Sequence, residues 1–154
     1  MKKALSTIAL LCLASTAFAL DFRATTWLMT KAQVIDSEST RVVSERSFPG
    51  LQELVFKSLV NGFTATITYV LENNRLLSGS YAFQKDTSRS AFEAAKKDLI
   101  AKYGAASFQT SDLLGWRLEK TEIALAHLPD GITHADFWEK SYFARINGLA
   151  AARN

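Results

Sequence analysis

Residues 51–71, LQELVFKSLVNGFTATITYVL, decide the fold of this chain. Two runs suited to β-strands, 51–60 and 63–71, flank Asn61-Gly62, a dipeptide that favours the tight turn of a two-residue β-hairpin because both positions tolerate a positive φ. In the second run, apolar residues alternate mainly with threonines, and a period of two gives a strand one buried face. The stretch therefore predicts an antiparallel hairpin with one face against a core.

Strand patterns continue on both sides of this hairpin. β-branched and alternating apolar residues predict five further strands, over residues 41–48, 76–83, 116–118, 121–128 and 132–143. Turn-forming residues separate them, among them Asn73-Asn74 and Pro129-Asp130-Gly131. The chain is therefore expected to contain about seven strands joined by short connections.

Two segments predict helices. Trp27–Ser39 contains the spacing of a capping box, with Thr30 as the N-cap and Gln33 three residues later. Thr87–Tyr103 is capped by Ser90 or Ser88, repeats apolar residues every three or four positions, and is followed by Gly104, which favours a helix end. The elements predict an α+β fold in which two helices pack on one face of an antiparallel sheet of about seven strands.

The first nineteen residues predict a signal peptide. Met1-Lys2-Lys3 is a short basic start, residues 4–14 are mostly apolar, and Ala17-Phe18-Ala19 supplies the small residues that a signal peptidase requires. The apolar run is too short for a permanent membrane helix. We therefore expect export and cleavage after Ala19, with the periplasm favoured over release from the cell.

Cleavage defines the expected domain and its charge. The mature chain is expected to form one domain over residues 20–144, followed by a flexible tail over 145–154. The whole chain has 18 Lys and Arg against 15 Asp and Glu, and loss of Lys2 and Lys3 leaves 16 basic residues. A nearly neutral chain lacks the basic surface that nucleic acids require. It also has no cysteine after Cys12 and no further run that would span a membrane, so core packing alone holds the fold.

The two histidines are the sequence's candidates for catalysis. His127 and His134 flank a turn that contains Asp130, and a hairpin there would bring both imidazoles together with Asp130 or Asp136, to bind a metal or move a proton. Their spacing matches no established metal motif. A small metal-dependent or hydrolytic enzyme built on these residues is thus an alternative, which fails if the imidazoles lie on opposite faces of the sheet. The sequence predicts no cofactor.

Aromatic side chains are the candidates for binding. Large rings usually belong to the core, but in a binding protein some of them line a cleft. The candidate rings are those of Trp27, Trp116, Trp138 and Tyr142. Since no catalytic motif is evident, the sequence favours a non-enzymatic periplasmic or secreted module that binds an envelope protein or a small ligand. A secreted inhibitor of a foreign enzyme is a further alternative.

The opening of the first predicted helix resembles a known family. Residues 27–34, WLMTKAQV, with Glu38 beyond them, resemble the W/G-M-[ST]-K-x-x-V opening of the outer-membrane assembly lipoprotein BamE and its SmpA/OmlA relatives. Lys102-Tyr103-Gly104, Trp116 and Thr121-x-Ile123-x-Leu125 resemble small uncharacterised periplasmic proteins. The resemblance implies an envelope protein. It implies neither the assembly role nor catalytic residues, because this chain lacks a lipobox and has a longer array of strands.

Overall fold

A computed structural model describes residues 20–151 of the chain. The predicted signal peptide, residues 1–19, and the last three residues, 152–154, lie outside this part. The described elements are α1 Lys31–Ser37, β1 Ser44–Phe48, β2 Leu51–Val60, β3 Phe63–Glu72, β4 Arg75–Phe83, α2 Ser90–Tyr103, β5 Phe108–Gln109, β6 Leu113–Arg117, β7 Thr121–His127, β8 Thr133–Glu139 and α3 Lys140–Ala151.

The eight described strands form one antiparallel sheet in the order β1-β2-β3-β4-β8-β7-β6-β5. The predicted hairpin is the β2–β3 pair, in which Val60 lies opposite Phe63. Asn61 and Gly62 form its turn with φ angles of 52° and 83°, the conformation that this dipeptide favours. The two halves of the chain meet where β4 pairs with β8. The predicted α+β class and the antiparallel sheet are confirmed.

The sheet has one strand more than the sequence predicts. The additional strand is β5, in which Phe108 pairs with Gly115 and Gln109 with Leu114 of β6. Two residues are too few for an alternating pattern to be recognised. The sequence therefore gives no periodic signal for the edge of the sheet beyond β6.

The end of the chain also differs from the prediction. The sequence predicts a strand through Phe143, whereas β8 ends at Glu139 and α3 follows it directly and continues to Ala151. The Glu139 carboxylate accepts hydrogen bonds from the backbone N–H groups of Ser141 and Tyr142, and so caps the start of this helix. Glutamate is not among the preferred N-cap residues, which is why the sequence shows no start signal here.

The two predicted helix starts have different outcomes. Thr30 is the N-cap of α1, and the capping box with Gln33 is confirmed. The predicted caps of α2, Ser88 or Ser90, are wrong. The carboxylate of Asp86 instead accepts hydrogen bonds from backbone N–H groups at the start of that helix. The Asp86 carboxylate is a stronger hydrogen-bond acceptor than the serine hydroxyls, and its negative charge interacts favourably with the positive end of the helix dipole.

The helices lie on both faces of the sheet. The face that α1 and α2 cover, here called the inner face, carries the core, and the predicted stripe of α2 is buried there, namely Phe92, Ala95 and Leu99. Helix α3 reaches the opposite, outer face, where Phe143 packs on Trp138 with ring centres 5.2 Å apart. Packing on one face therefore holds for α1 and α2 but not for α3. None of these three helices has the length and apolar character that crossing a membrane requires.

The segment before α1 is part of the core. Phe22 is fully buried, and its ring centre lies 4.9–5.3 Å from those of Tyr69, Tyr81 and Phe137. Gly79 makes room for this ring, because a Cβ at that position would lie 2.1 Å from Phe22 Cδ1. The Phe22 ring thus packs on the sheet at a position where only a glycine leaves room for it.

Replacement of this glycine tests the contact. We expect Gly79→Ala to lower the free energy of unfolding by about 3 kcal/mol, because the added methyl group overlaps a ring enclosed on all sides. Urea denaturation measures the change. Gly148→Ala is the control, since a Cβ there meets no atom within 4 Å and alanine favours the helix, so its stability should be equal or higher. Equal stabilities for both variants would contradict the packing of Phe22.

Candidate functional site

A groove of about 990 Å³ opens at the end of the sheet where β7 begins and β8 ends. Its walls come from the N-terminal segment, the C-terminal end of α2, the β6–β7 turn and the start of α3, and it is called here the Trp27 groove. Pockets for small ligands usually measure about 300–1,000 Å³. The groove therefore has room for a ligand of substantial size.

Trp27 is held firmly in the wall of this groove. Its backbone N–H donates to the Asp21 carboxylate at 2.8 Å, and its indole Nε1 donates to the Thr121 hydroxyl at 2.9 Å. Thr121 is itself buried at the start of β7. The indole is therefore anchored through its polar edge, and the ring is only partly covered. A ring fixed in this way loses little conformational freedom when a ligand packs on it.

Leu28, next to it, is both strained and exposed. Its φ is 70°, a left-handed conformation that is costly for a bulky side chain, and half of the residue is exposed. The Leu28 N–H donates to the Leu76 carbonyl at 2.9 Å, and the Leu76 N–H donates to the Met29 carbonyl at the same distance, so the neighbouring backbone imposes the conformation. Strain of this kind costs about 1–3 kcal/mol and concentrates at functional sites.

The groove has an apolar surface and a charged rim. Leu20, Leu118 and Ala144 line it together with Trp27 and Leu28. Three acidic and two basic residues also contribute, namely Asp21, Glu119, Glu139, Lys120 and Lys140. With this small excess of negative charge, the rim disfavours an anionic ligand.

Glu139 is occupied by its structural task. Burial alone would raise the pKa of its carboxyl, but hydrogen bonds from Ser141 and from the Tyr142 backbone outweigh it and lower the pKa below the usual value. The carboxylate therefore stays ionised as the cap of α3 and is unsuited to donate a proton to a ligand.

The other three aromatic candidates lie elsewhere. Trp116 is buried in the core, with its Nε1 donating to the Gly104 carbonyl at 3.0 Å. Trp138 is on the outer face against Phe143. Tyr142 lies in α3 beneath the guanidinium of Arg145, 5.2 Å from the ring centre. Among the four predicted rings, only Trp27 lines the groove.

The two histidines do not come together. In the β7–β8 register, His127 lies opposite Thr133 and His134 lies opposite Ala126, so the two are on different faces. His127 Nδ1 is 3.0 Å from the Thr133 hydroxyl on the inner face. The Asp130 carboxylate accepts a hydrogen bond from a backbone N–H within its own turn. Because side chains alternate along a strand, the hairpin separates the two imidazoles that it was expected to join.

No metal site replaces this arrangement within the part of the chain that the structure describes. Across residues 20–151, no group of three or more His, Cys, Asp or Glu side chains is placed to hold a metal ion. His134 shares the outer face with Asp136, which lies opposite Ser80 of β4 and Ala124 of β7. Burial raises the pKa of the Asp136 carboxyl, and the charge of His134 acts in the opposite direction.

The raised pKa of the Asp136 carboxyl predicts how the free energy of unfolding depends on pH. Burial disfavours the charged carboxylate in the native state, so we expect Asp136→Asn to be more stable than the parent protein at about pH 7. The difference should shrink as the pH falls towards about 3.9, the usual pKa of an unfolded aspartate, because the native carboxyl is then already protonated. Urea denaturation at both pH values measures it, with Asp130→Asn as the control for loss of one charge. A difference independent of pH would contradict the burial of a charge.

The sequence does not predict that Tyr103 and Leu28 line the groove. Tyr103 belongs to the predicted core stripe of α2, and it is only half-buried because the helix ends there. Leu28 has the pattern of an ordinary residue before a helix cap. A positive φ at leucine has no sequence signal, because it results from hydrogen bonds to Leu76, far along the chain.

Comparison of the chain with protein-family models, with curated proteins and with solved structures finds no match. The resemblance of the α1 opening to BamE and its relatives therefore stays a prediction. The confirmed capping box accounts for part of that opening through helix chemistry alone.

Proposed function

We propose that this protein is an exported, non-enzymatic binding module whose ligand occupies the Trp27 groove. The observation that carries the proposal is the exposed Leu28, held in a strained conformation beside an anchored tryptophan. The hydrogen bonds with Leu76 account for the backbone angle, but glycine would adopt that angle without strain. Contact with a ligand accounts for an exposed leucine at this position.

The groove selects an apolar, uncharged ligand. Its volume of about 990 Å³ suits a small molecule, and leucine and tryptophan side chains supply the contact surface. The small excess of negative charge at the rim disfavours an anion. The carboxylates of Asp21 and Glu139 already accept backbone hydrogen bonds within the chain, so the rim offers no surplus of free carboxylates to a cation. A small apolar ligand is therefore favoured over a protein partner, since a groove of this kind buries a compact molecule more completely than a segment of a folded surface.

The geometry supports binding rather than catalysis. The enzyme alternative needs His127, Asp130 and His134 within reach of one substrate, and two of these side chains lie on opposite faces of the sheet. The inhibitor alternative differs from our proposal in its partner only. It predicts a complex with an enzyme instead of a small ligand.

Export is the second element of the proposal. The first nineteen residues have the composition of a signal peptide. The buried Phe22 and Thr25 follow shortly after the expected cleavage site, so cleavage after Ala19 leaves every core contact of the described chain in place. The absence of cysteine after Cys12 also suits a fold held by packing in an oxidising compartment.

Mass spectrometry of the exported protein tests the cleavage site. We expect the periplasmic fraction to contain a chain that begins at Leu20, because Ala17 and Ala19 supply the small side chains that the peptidase binds. Ala19→Arg is the matched variant, and it should leave the precursor uncleaved. An exported protein that begins at Met1, or one that carries a lipid on Cys12, would contradict the prediction.

A neutral fluorescent probe tests the groove. We expect N-phenyl-1-naphthylamine to bind the mature protein, and Leu28→Gly to weaken its affinity about tenfold because the variant loses a central apolar contact. The same variant should unfold at an unchanged or slightly higher urea concentration, since glycine adopts a positive φ without strain. Fluorescence titration and urea denaturation give the two measurements.

Leu59→Ala provides the control for surface leucines. Leu59 is 69% exposed on β2 and does not line the groove, so its replacement should leave the affinity for the probe unchanged. Equal affinities for the parent protein and Leu28→Gly would show that the groove is not the binding site. Replacement of Leu28 by a photo-crosslinking residue addresses the protein-partner alternative, because a single crosslinked envelope protein would favour it over a small ligand.

A further inference from the structure

A second, smaller cavity lies between α2 and the inner face of the sheet. It has a volume of about 90 Å³ and is called here the Tyr103 pocket, although Tyr103 also borders the Trp27 groove. Phe83, Leu99 and Phe137 form apolar walls, and all three are buried. The pocket therefore has a buried apolar base, while the exposed residues Asn61, Asp98 and Lys102 lie at its mouth.

Arg23 provides the first polar group of this pocket. Its Nε and Nη2 atoms donate to the Glu38 carboxylate at 2.6 and 3.0 Å. The guanidinium carbon lies 5.8 Å from the centre of the Tyr81 ring, which also lines the pocket. Arg23 also acts on the Tyr81 side chain through its charge and a hydrogen bond. Arg23 is thus held at the wall of the pocket by Glu38 and Tyr81.

Two tyrosines provide the other polar groups. The hydroxyl oxygen of Tyr103 is buried and has no hydrogen-bond partner among the described residues. A buried polar atom in this state is unfavourable unless a ligand or an ordered water satisfies it. Burial raises the pKa of Tyr81 to about 12, although the nearby Arg23 acts to lower it, so this hydroxyl keeps its proton and can donate it in a hydrogen bond.

The charges around the pocket cancel. Arg23 is neutralised by Glu38, and Lys102 and Asp98, which also line the pocket, carry opposite charges and are exposed to solvent. An ionic ligand would therefore lose its own hydration without gaining a net opposite charge around the pocket. The volume is also smaller than the cavity of about 150 Å³ that holds benzene in another protein, which limits the ligand to a few non-hydrogen atoms.

From this arrangement we infer that the Tyr103 pocket binds a small uncharged molecule of about five non-hydrogen atoms, with an alkyl part and a carbonyl or hydroxyl oxygen. The oxygen accepts hydrogen bonds from the hydroxyl groups of Tyr81 and Tyr103. The alkyl part packs on the apolar walls. This site does not rest on the proposed function, because of its lining residues only Tyr103 also lines the Trp27 groove.

The experiment is an NMR titration of the isotope-labelled mature protein with 2-butanone. We expect saturable shifts of the amide signals around Tyr81 and Tyr103. Propionate has the same number of non-hydrogen atoms but carries a charge, and it should bind at least tenfold more weakly because its carboxylate would lose hydration while the charges around the pocket sum to zero. Binding of both probes with equal affinity would overturn the choice of an uncharged ligand.

Tyr103→Phe tests the role of the hydroxyl. We expect it to weaken butanone binding at least fivefold, because the ring remains while one hydrogen-bond donor is lost. Tyr81→Phe removes the other hydroxyl of the pocket at a residue that does not line the Trp27 groove. It should also weaken butanone binding and leave the affinity of the groove for N-phenyl-1-naphthylamine unchanged, so failure of this inference and failure of the proposed function are distinguishable. Tyr142→Phe is the control, since Tyr142 lies outside the pocket, and it should bind butanone as the parent protein does.

Two results would overturn the inference. One is the absence of saturable shifts throughout the titration, which would mean that the pocket holds only water. The other is a set of shifts confined to the residues of the Trp27 groove, which would place the probe outside the pocket. A loss of butanone binding in Tyr103→Phe with unchanged urea denaturation supports it, because the fold is then intact.

Discussion

The contact between the Phe22 ring and the bare backbone of Gly79 holds the N-terminal segment, and with it both candidate sites, in place. It seats this segment on the inner face of the sheet, among the rings of Tyr69, Tyr81 and Phe137. Once Phe22 is in place, the residues after it have little freedom. The same segment then supplies one residue to the inner pocket, Arg23. It supplies five to the groove, namely Leu20, Asp21, Thr26, Trp27 and Leu28.

A partly buried ion pair completes this attachment. Glu38, just after α1, accepts two hydrogen bonds from Arg23 and one from the Tyr69 hydroxyl. Burial alone would lower the pKa of Arg23, but the bonds to Glu38 raise it above the usual value. Burial also raises the pKa of Tyr69, and its hydrogen bond to Glu38 adds to the effect. A buried pair of this kind contributes little net stability, but it excludes alternative placements of the segment, which would leave a charge unpaired.

Local chemistry explains which elements were predictable. The Asn61-Gly62 hairpin and the capping box at Thr30 depend on residues within a few positions of each other, and both are confirmed. The sequence does not predict the start of α3 at Glu139 or the two-residue strand β5, because neither has a periodic or conformational signal. The hairpin predicted around Asp130 is present, but it does not bring the two histidines together. In its register His134 lies opposite Ala126, which puts the two imidazoles on opposite faces of the sheet.

The amino-acid sequence alone establishes the α+β class, the central hairpin, the stripe of α2 that faces the core and a binding candidate at Trp27. These follow from patterns of neighbouring residues, whose physical causes are local. The packing of distant segments determines that Trp27 is an anchored wall while Trp116 is core, that Leu28 is strained and exposed, and that Arg23, Tyr81 and Tyr103 surround one cavity. Each of these depends on contacts between residues far apart in the chain, and the pattern of neighbouring residues carries no record of such contacts.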